Sequence, residues 1–360
     1  MSRNTNDTIQ EGSLQEEGIV NDQSSHPTLA LIILHNSIII LLTLFGNILL
    51  VSVVFRSNRV KRRKKITPIQ LLMLHMCTAD ISFALLTILP NLLTTVTVPV
   101  FHGPNALCKF VKYIQVVPLY ASAFLLVAIS ADRYNAICRP LSSIRRGVYN
   151  RPSLYATIAW TTALIFSTPQ LALFYKDDLH HDCIASYTES WQYLLYVCMF
   201  NVAVWLLPSA LAGSFYFCVC RAVWKSASFG RGFIRTQSTQ LCDEGRDSSH
   251  HNKALSFNSS SQFDSRRLQT LKLTMTIVAV NFLLWAPFCL IQVVDAIWPS
   301  AISPLFSTYI LLFGNLNSCV NPWMWFIFNR DLLRDANPFH STTEKGTEFT
   351  LTERPATLSY

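Results

Sequence analysis

The stretch CKFVKYIQVV, residues 108–117, places an ammonium and an amide, Lys112 and Gln115, inside a run that is otherwise apolar. Three residues apart on a helix, they share a face, and Ser122 continues that face toward Asp80. Amides donate and accept at once, so such a face suits peptide carbonyls and carboxamides and offers no anion to a protonated amine. Lys112 could instead pair with a loop acid such as Asp182 or reach toward headgroups, and Gln115 could be hydrogen-bonded glue between helices. Asp80 stands in HMCTADISFALL with no cation near it in its own segment; Asn47, Ser122, Asn317, Ser318 and Asn321 are the polar groups able to meet it. That set can hold a monovalent cation or a water cluster, or simply knot helices together. In ADRYNAICRPL, Asp132 and Arg133 form a pair that can be held in one arrangement and released in another, which suits a switch. A plain surface ion pair would read alike.

These groups need elements that carry them out of water. The 360 residues are 51% hydrophobic and only 14% charged, too apolar for an ordinary soluble domain. Apolar stretches of about 20 residues or more fall at 29–55, 68–96, 109–131, 154–174, 193–220, 272–298 and 304–328. Basic residues crowd RSNRVKRRKK (56–65), the link with Arg139, Arg145, Arg146 and Arg151, and the link with Lys225, Arg231, Arg235, Arg266 and Arg267. The alternate links and the segment before the first span are neutral or acidic. The positive-inside bias then puts the N-terminus outside and the C-terminus inside. The expectation is an all-α protein of the plasma membrane, a seven-transmembrane-helix bundle. It divides into an extracellular segment 1–28, a bundle 29–335 with a mobile cytoplasmic loop 225–265, and a cytoplasmic tail 336–360. The net charge of +8 belongs to the inner flanks, where anionic headgroups sit, and not to a nucleic-acid surface.

Of ten cysteines, Cys108 and Cys183 are the two that fall outward. In an oxidising compartment they should pair and pin the second outer loop over the mouth of the bundle; two free thiols are the alternative. The sequon NDT at Asn6, also outward, is a glycosylation site by its pattern. No Gly-rich phosphate loop, H-E-x-x-H or G-x-S-x-G occurs, and the pairs His180-His181 and His250-His251 lack further metal-ligand spacing. No enzyme, cofactor or metal site is expected. A transporter is the rival class, with Asp80 and Lys112 on a conduction path, but it calls for repeat symmetry between halves, and no repeat is visible.

Prolines inside spans, Pro208, Pro287 and Pro322, bend helices at matching depths and allow rocking. Together with Gly46-Asn47, Ala79-Asp80, Cys108, Asp132-Arg133-Tyr134, Trp160, Tyr216 and Trp285, they form a set that resembles the rhodopsin class of G-protein-coupled receptors across residues 29–335. The outer stretches CKFVKYIQVV, ILPNLL, STPQL, WAPFCLIQ and LNSCVNPW are similar to the vasopressin/oxytocin receptor family. The resemblance implies a receptor for a small disulfide-ringed, amidated peptide, bound by Asn91, Lys112, Gln115, Gln170, Trp285, Phe288 and Gln292. It also implies a sodium or polar core of Asp80, Ser122, Asn317, Ser318 and Asn321, and a G-protein switch of Asp132, Arg133, Tyr134 and Tyr216. The implied inner partner is a heterotrimeric G protein of the calcium-mobilising class, with arrestin a further candidate. A receptor for a related amidated neuropeptide, of the crustacean cardioactive peptide or neuropeptide S type, is the alternative. Against the family pattern, Asn91 stands for a Gln, Ile32 for an acid, Thr87 for an amide, Ile184 for a Trp, and Trp325 for the Tyr of Asn-Pro-x-x-Tyr. These departures point to a divergent invertebrate member.

Overall fold

The computed structural model describes residues 10–60, 66–97, 101, 103–139, 150–177, 182–240, 250–299 and 301–329. Asn6 and the tail 336–360 lie outside the described residues. In chain order the elements are α1 (Gln10–Val60), α2 (Pro68–Phe83), α3 (Leu89–Thr97), α4 (Asn105–Cys138), α5 (Asn150–Ser167), α6 (Pro169–Leu173), β1 (Phe174–Asp177), β2 (Asp182–Ala185), α7 (Ser190–Asn201), α8 (Leu207–Gln240), α9 (His250–Ile297), α10 (Pro304–Asn315) and α11 (Asn317–Phe328). Continuous helical stretches long and apolar enough to cross a membrane run over Leu29–Val60, Pro68–Val96, Asn105–Cys138, Trp191–Trp224 and Gln269–Ile297. The fourth span is α5, with polar Asn150 and Arg151 in its 18 residues. The seventh is α10 and α11 joined through Leu316, and at about 1.5 Å per residue the pair is long enough to cross.

Local chemistry sets the ends and irregularities. Thr67 caps α2, accepting from the Gln70 N–H while the Gln70 side chain accepts from the Thr67 N–H at 3.0 Å, with Pro68 in the first turn. Ser303 and Pro304 open α10 in the same manner, without the reciprocal bond. Span two passes from α2 to α3 through a π-turn at Ala84–Ile88, and span five from α7 to α8 through one at Val202–Leu206. Each ends two residues before a proline, Pro90 and Pro208. A proline ring gives no N–H to the carbonyl four residues back and presses against it, and the extra residue of a π-turn relieves that conflict.

The axis of the bundle is α4. Its Tyr120, Leu125 and Ile129 are almost fully buried and share one core with Leu72 and Met76 of α2, Ala163 of α5 and Ile277 of α9. Along the apolar stretch of α4, 61% of residues are buried, against 22% for that of α9, so α4 is central and α9 peripheral. An apolar groove of about 650 Å³, lined by Ala210, Gly213, Phe217, Met275 and Ala279, runs between α8 and α9. Trp205 stacks on Phe282 beside it, centroids 5.0 Å apart, and donates to the Phe282 carbonyl at 3.1 Å.

Two stretches differ from expectation. The loop anticipated over 225–265 is helical at 225–240 and 250–265, as extensions of α8 and α9, and residues 10–28 extend α1. Lengthening an existing helix needs no new nucleus, so polar sequence can follow a span in helical form. Residues 241–249 lie outside the described residues.

Candidate functional site

At one end of the bundle β1 and β2 pair antiparallel, Lys176 opposite Cys183. The hairpin is held across that end because Cys183 is bonded to Cys108 in the first turns of α4, Cα atoms 5.7 Å apart. Asn105 Oδ1 also accepts the Lys176 backbone N–H at 2.9 Å. The pairing expected from sidedness is therefore present. The hairpin itself was not legible: strands of four residues with mixed polarity carry no period.

The hairpin answers the charge on Lys112. Nζ stands 5.4 Å from the centroid of the Phe174 ring, and the Asp182 carboxylate acts on it electrostatically. Gln115 is buried, and its backbone carbonyl accepts the Thr87 hydroxyl at 2.5 Å, joining the π-turn of span two to α4. Gln170, in α6, is buried and donates Nε2 to the Tyr196 hydroxyl on α7. Tyr196 meets Tyr187 at 6.5 Å and Phe200 at 6.4 Å, and Phe200 meets Tyr120 of α4 edge-on at 5.8 Å. An aromatic row thus leads from the loop after β2 to the bundle axis. In that loop burial, with Tyr196 and Tyr193 adding, pushes the Tyr187 phenol up to about 12, so it remains a neutral donor in neutral water.

Among the helices lies a cavity of about 210 Å³. Of the residues expected at the ligand, Asn91, Trp285 and Phe288 line it. Trp285 and Phe288 meet edge-on at 5.7 Å. Gln115 and Gln170 are not among its lining residues, Lys112 lies under the hairpin, and Gln292 is half-buried four residues beyond Phe288. Drug-sized sites measure about 300–1,000 Å³; this one is smaller. Asn36, Thr87 and Asn315 also line it. Sequence reasoning missed Asn36 and Asn315, whose only signal is an amide within an apolar helix.

Phe83, Leu119 and Trp285 line this cavity and a second one beyond it, whose free space of about 10 Å³ is room for about one water. Asp80, Ser122, Asn317 and Ser318 line the second cavity, so the expected polar core assembles. Asn321 donates to Asp80 at 3.0 Å, Thr43 and Ser318 hydroxyls stand 3.2 Å apart, and Asn47 donates to the Ser318 carbonyl at 3.3 Å. Asn281, which was not anticipated, donates to Asn317 Oδ1 at 2.9 Å. Ser122 bonds Met76 Sδ at 3.4 Å.

At the opposite end Arg133 pairs with the adjacent Asp132, itself nearly buried. Tyr134 packs on Phe215 at 5.6 Å, and the Arg139 guanidinium lies 5.6 Å over the Tyr134 ring. Tyr216 is buried with Val219 and Leu271, and Trp325 is buried in the last turn of α11. Arg133 Nε and Trp325 Nε1 have no hydrogen-bond partner among the described residues, and the Tyr216 hydroxyl faces Thr274 and Ser130. The side chains of Arg266 and Arg267 lie outside the described residues.

Residues 46–325 match the family described as 7 transmembrane receptor (rhodopsin family). The chain is 54% identical to nematocin receptor 1 of Caenorhabditis elegans, over 92% of this chain and 88% of that one. It is 32% identical to cephalotocin receptor 1 of Octopus vulgaris, over 81% and 76% of the two chains, and 33% identical to the vasopressin V2 receptor of Bos taurus, over 75% and 72%. The chain belongs to the rhodopsin family of seven-transmembrane receptors, in its vasopressin/oxytocin group. The receptor is accordingly a multi-pass protein of the plasma membrane and not an enzyme, and the transporter reading falls.

Proposed function

We propose that this receptor binds a vasopressin/oxytocin-like, disulfide-ringed, amidated peptide at its disulfide end and activates a heterotrimeric G protein at its Arg133 end. The observation that carries the reading is likeness over 75–92% of the chain to receptors named for nematocin, cephalotocin and vasopressin. The cavity supports it: amides and hydroxyls beside Trp285 and Phe288 suit a peptide better than an amine. On this reading the N-terminus and any glycan on Asn6 are outside and the tail is inside. Asn91, Trp285 and Phe288 meet the ligand in the cavity, Lys112 and Gln292 meet it near the rim, and Gln115 and Gln170 hold the walls.

Binding favours an arrangement in which α9, bending at Pro287, swings away from α4 at the Arg133 end. Arg133 then leaves Asp132, and a crevice opens beside Tyr134 and Tyr216 for a G protein of the calcium-mobilising class, and afterwards for arrestin. The Asp80 core, sized for one small visitor, holds sodium or water in the resting arrangement. The test is a panel of labelled oxytocin-type peptides on intact cells, read by binding and by G-protein nucleotide exchange in membranes. Saturable nanomolar binding with exchange is expected; silence to the whole panel would overturn the ligand class.

A further inference from the structure

Resting on that peptide reading, we propose that Asn36 is a specificity-determining residue. It builds, at the wall of spans one and seven, a subsite for an uncharged N–H-bearing group of the ligand: a backbone amide, the terminal carboxamide or an Asn or Gln side chain.

Asn36 is 7% exposed, lines the cavity, and its Oδ1 has no hydrogen-bond partner. The Oδ1 atoms of Asn47, Asn201 and Asn321 also lack partners, but those side chains are anchored through Nδ2, to the Thr43 and Ser318 carbonyls, the Val197 carbonyl and Asp80, and none of the three lines this cavity. A buried carbonyl oxygen without a donor costs free energy. In the empty receptor water can serve it, and a ligand N–H replaces that water.

The wall around Asn36 is held in place. His35 Nε2 is 3.0 Å from the Leu312 carbonyl, which ties α1 to α10 beside the subsite, and Leu312 and Asn315 of α10 share the lining. Asn315 is itself buried.

Charge decides the class of group. None of the described residues lining the cavity is Asp, Glu, Lys or Arg. Ile32, one helical turn before Asn36 and on the same face, lines it too. An ammonium or guanidinium entering would stay unpaired, at a large desolvation cost; an amide would find an acceptor. The positive residues of a ligand therefore remain at the rim.

The experiment uses the full-length receptor on cells, counted by an N-terminal epitope, and the tightest-binding labelled oxytocin-type amidated peptide of the panel. Asn36→Leu is expected to lose about tenfold in affinity, the effect of one hydrogen bond. Asn36→Asp keeps the acceptor, adds an anion, and should gain at least about tenfold for analogues carrying a Lys in place of the buried neutral group. Analogues in which single N–H groups are methylated identify the donor: one of them should lose affinity on the wild type and lose nothing further on Asn36→Leu. Wild-type affinity in Asn36→Leu toward every analogue overturns the subsite alone, whereas a wild-type receptor that binds none of the panel overturns the ligand class and the subsite with it. Where Asn36→Leu fails to reach the surface, Asn36→Asp, of nearly equal size, decides.

Discussion

The two ends of the bundle differ in where groups that can only donate are left unpaired. Among the described residues, unpartnered buried amide oxygens occur at Asn36 and Asn201 in the disulfide half and at Asn47 and Asn321 around the Asp80 core, whereas the unpartnered Arg133 Nε and Trp325 Nε1 lie toward the Arg133 end, with the Ser57 hydroxyl. Indole and guanidinium groups only donate. On the proposed reading, a peptide at the first end meets amide acceptors and a G-protein surface at the second meets donors, so the two are read by different chemistry in one scaffold.

The contrast breaks most visibly at Arg133. Arg133→Ala should cut agonist-driven nucleotide exchange more than about tenfold while leaving peptide affinity within about threefold; unchanged exchange would show that the donors at that end are inert. Cys183→Ser releases the hairpin from α4 and should lower peptide affinity about tenfold or more at equal surface number, measured by saturation binding. A receptor that keeps its affinity without the bridge would place the selecting groups wholly inside the cavity. Thr87→Val retains shape and removes the hydroxyl that reaches the Gln115 carbonyl. Since such interhelical bonds are worth about 0.6 kcal/mol, a two- to threefold loss of affinity is expected, read by the same assay. The smallest effect belongs to Trp325→Phe, which deletes an unpaired N–H and no native bond: thermal stability of the purified receptor should stay within about 1 kcal/mol while exchange falls slightly. A clear loss of stability would mean that the indole N–H has a partner after all.

Depth along the membrane normal was legible in the sequence, and rotation about each helix was not. Hydropathy placed the spans, charge asymmetry separated the alternate links, and those two together singled out Cys108 and Cys183. Asp80 met Asn321 and Ser318 lined its cavity because polar groups at one depth in an apolar interior have few other partners. Gln115 and Gln170 share that depth with the cavity yet are not among its lining residues, since which side of a helix meets which neighbour depends on packing angles that no single segment encodes. Asn36 and Asn281 were missed for the same reason. The helical continuation of 225–240 and 250–265 escaped because composition there speaks against an independent helix and says nothing about extension of one already formed.

Span two shows how finely that rotation is set. Its π-turn at Ala84–Ile88 accommodates one residue more than an α-helix would, and each residue of an α-helix turns the chain by roughly 100°. Asp80 before the turn and Asn91 after it therefore belong to two helical phases, offset so that each lines its own cavity. Drawn through 84–88 as an unbroken α-helix, the same residues would leave Asp80 where it is and swing Asn91 and Thr95 by roughly 100°, away from the cavity. Surface loops absorb a change of one residue in length; inside span two the π-turn does so.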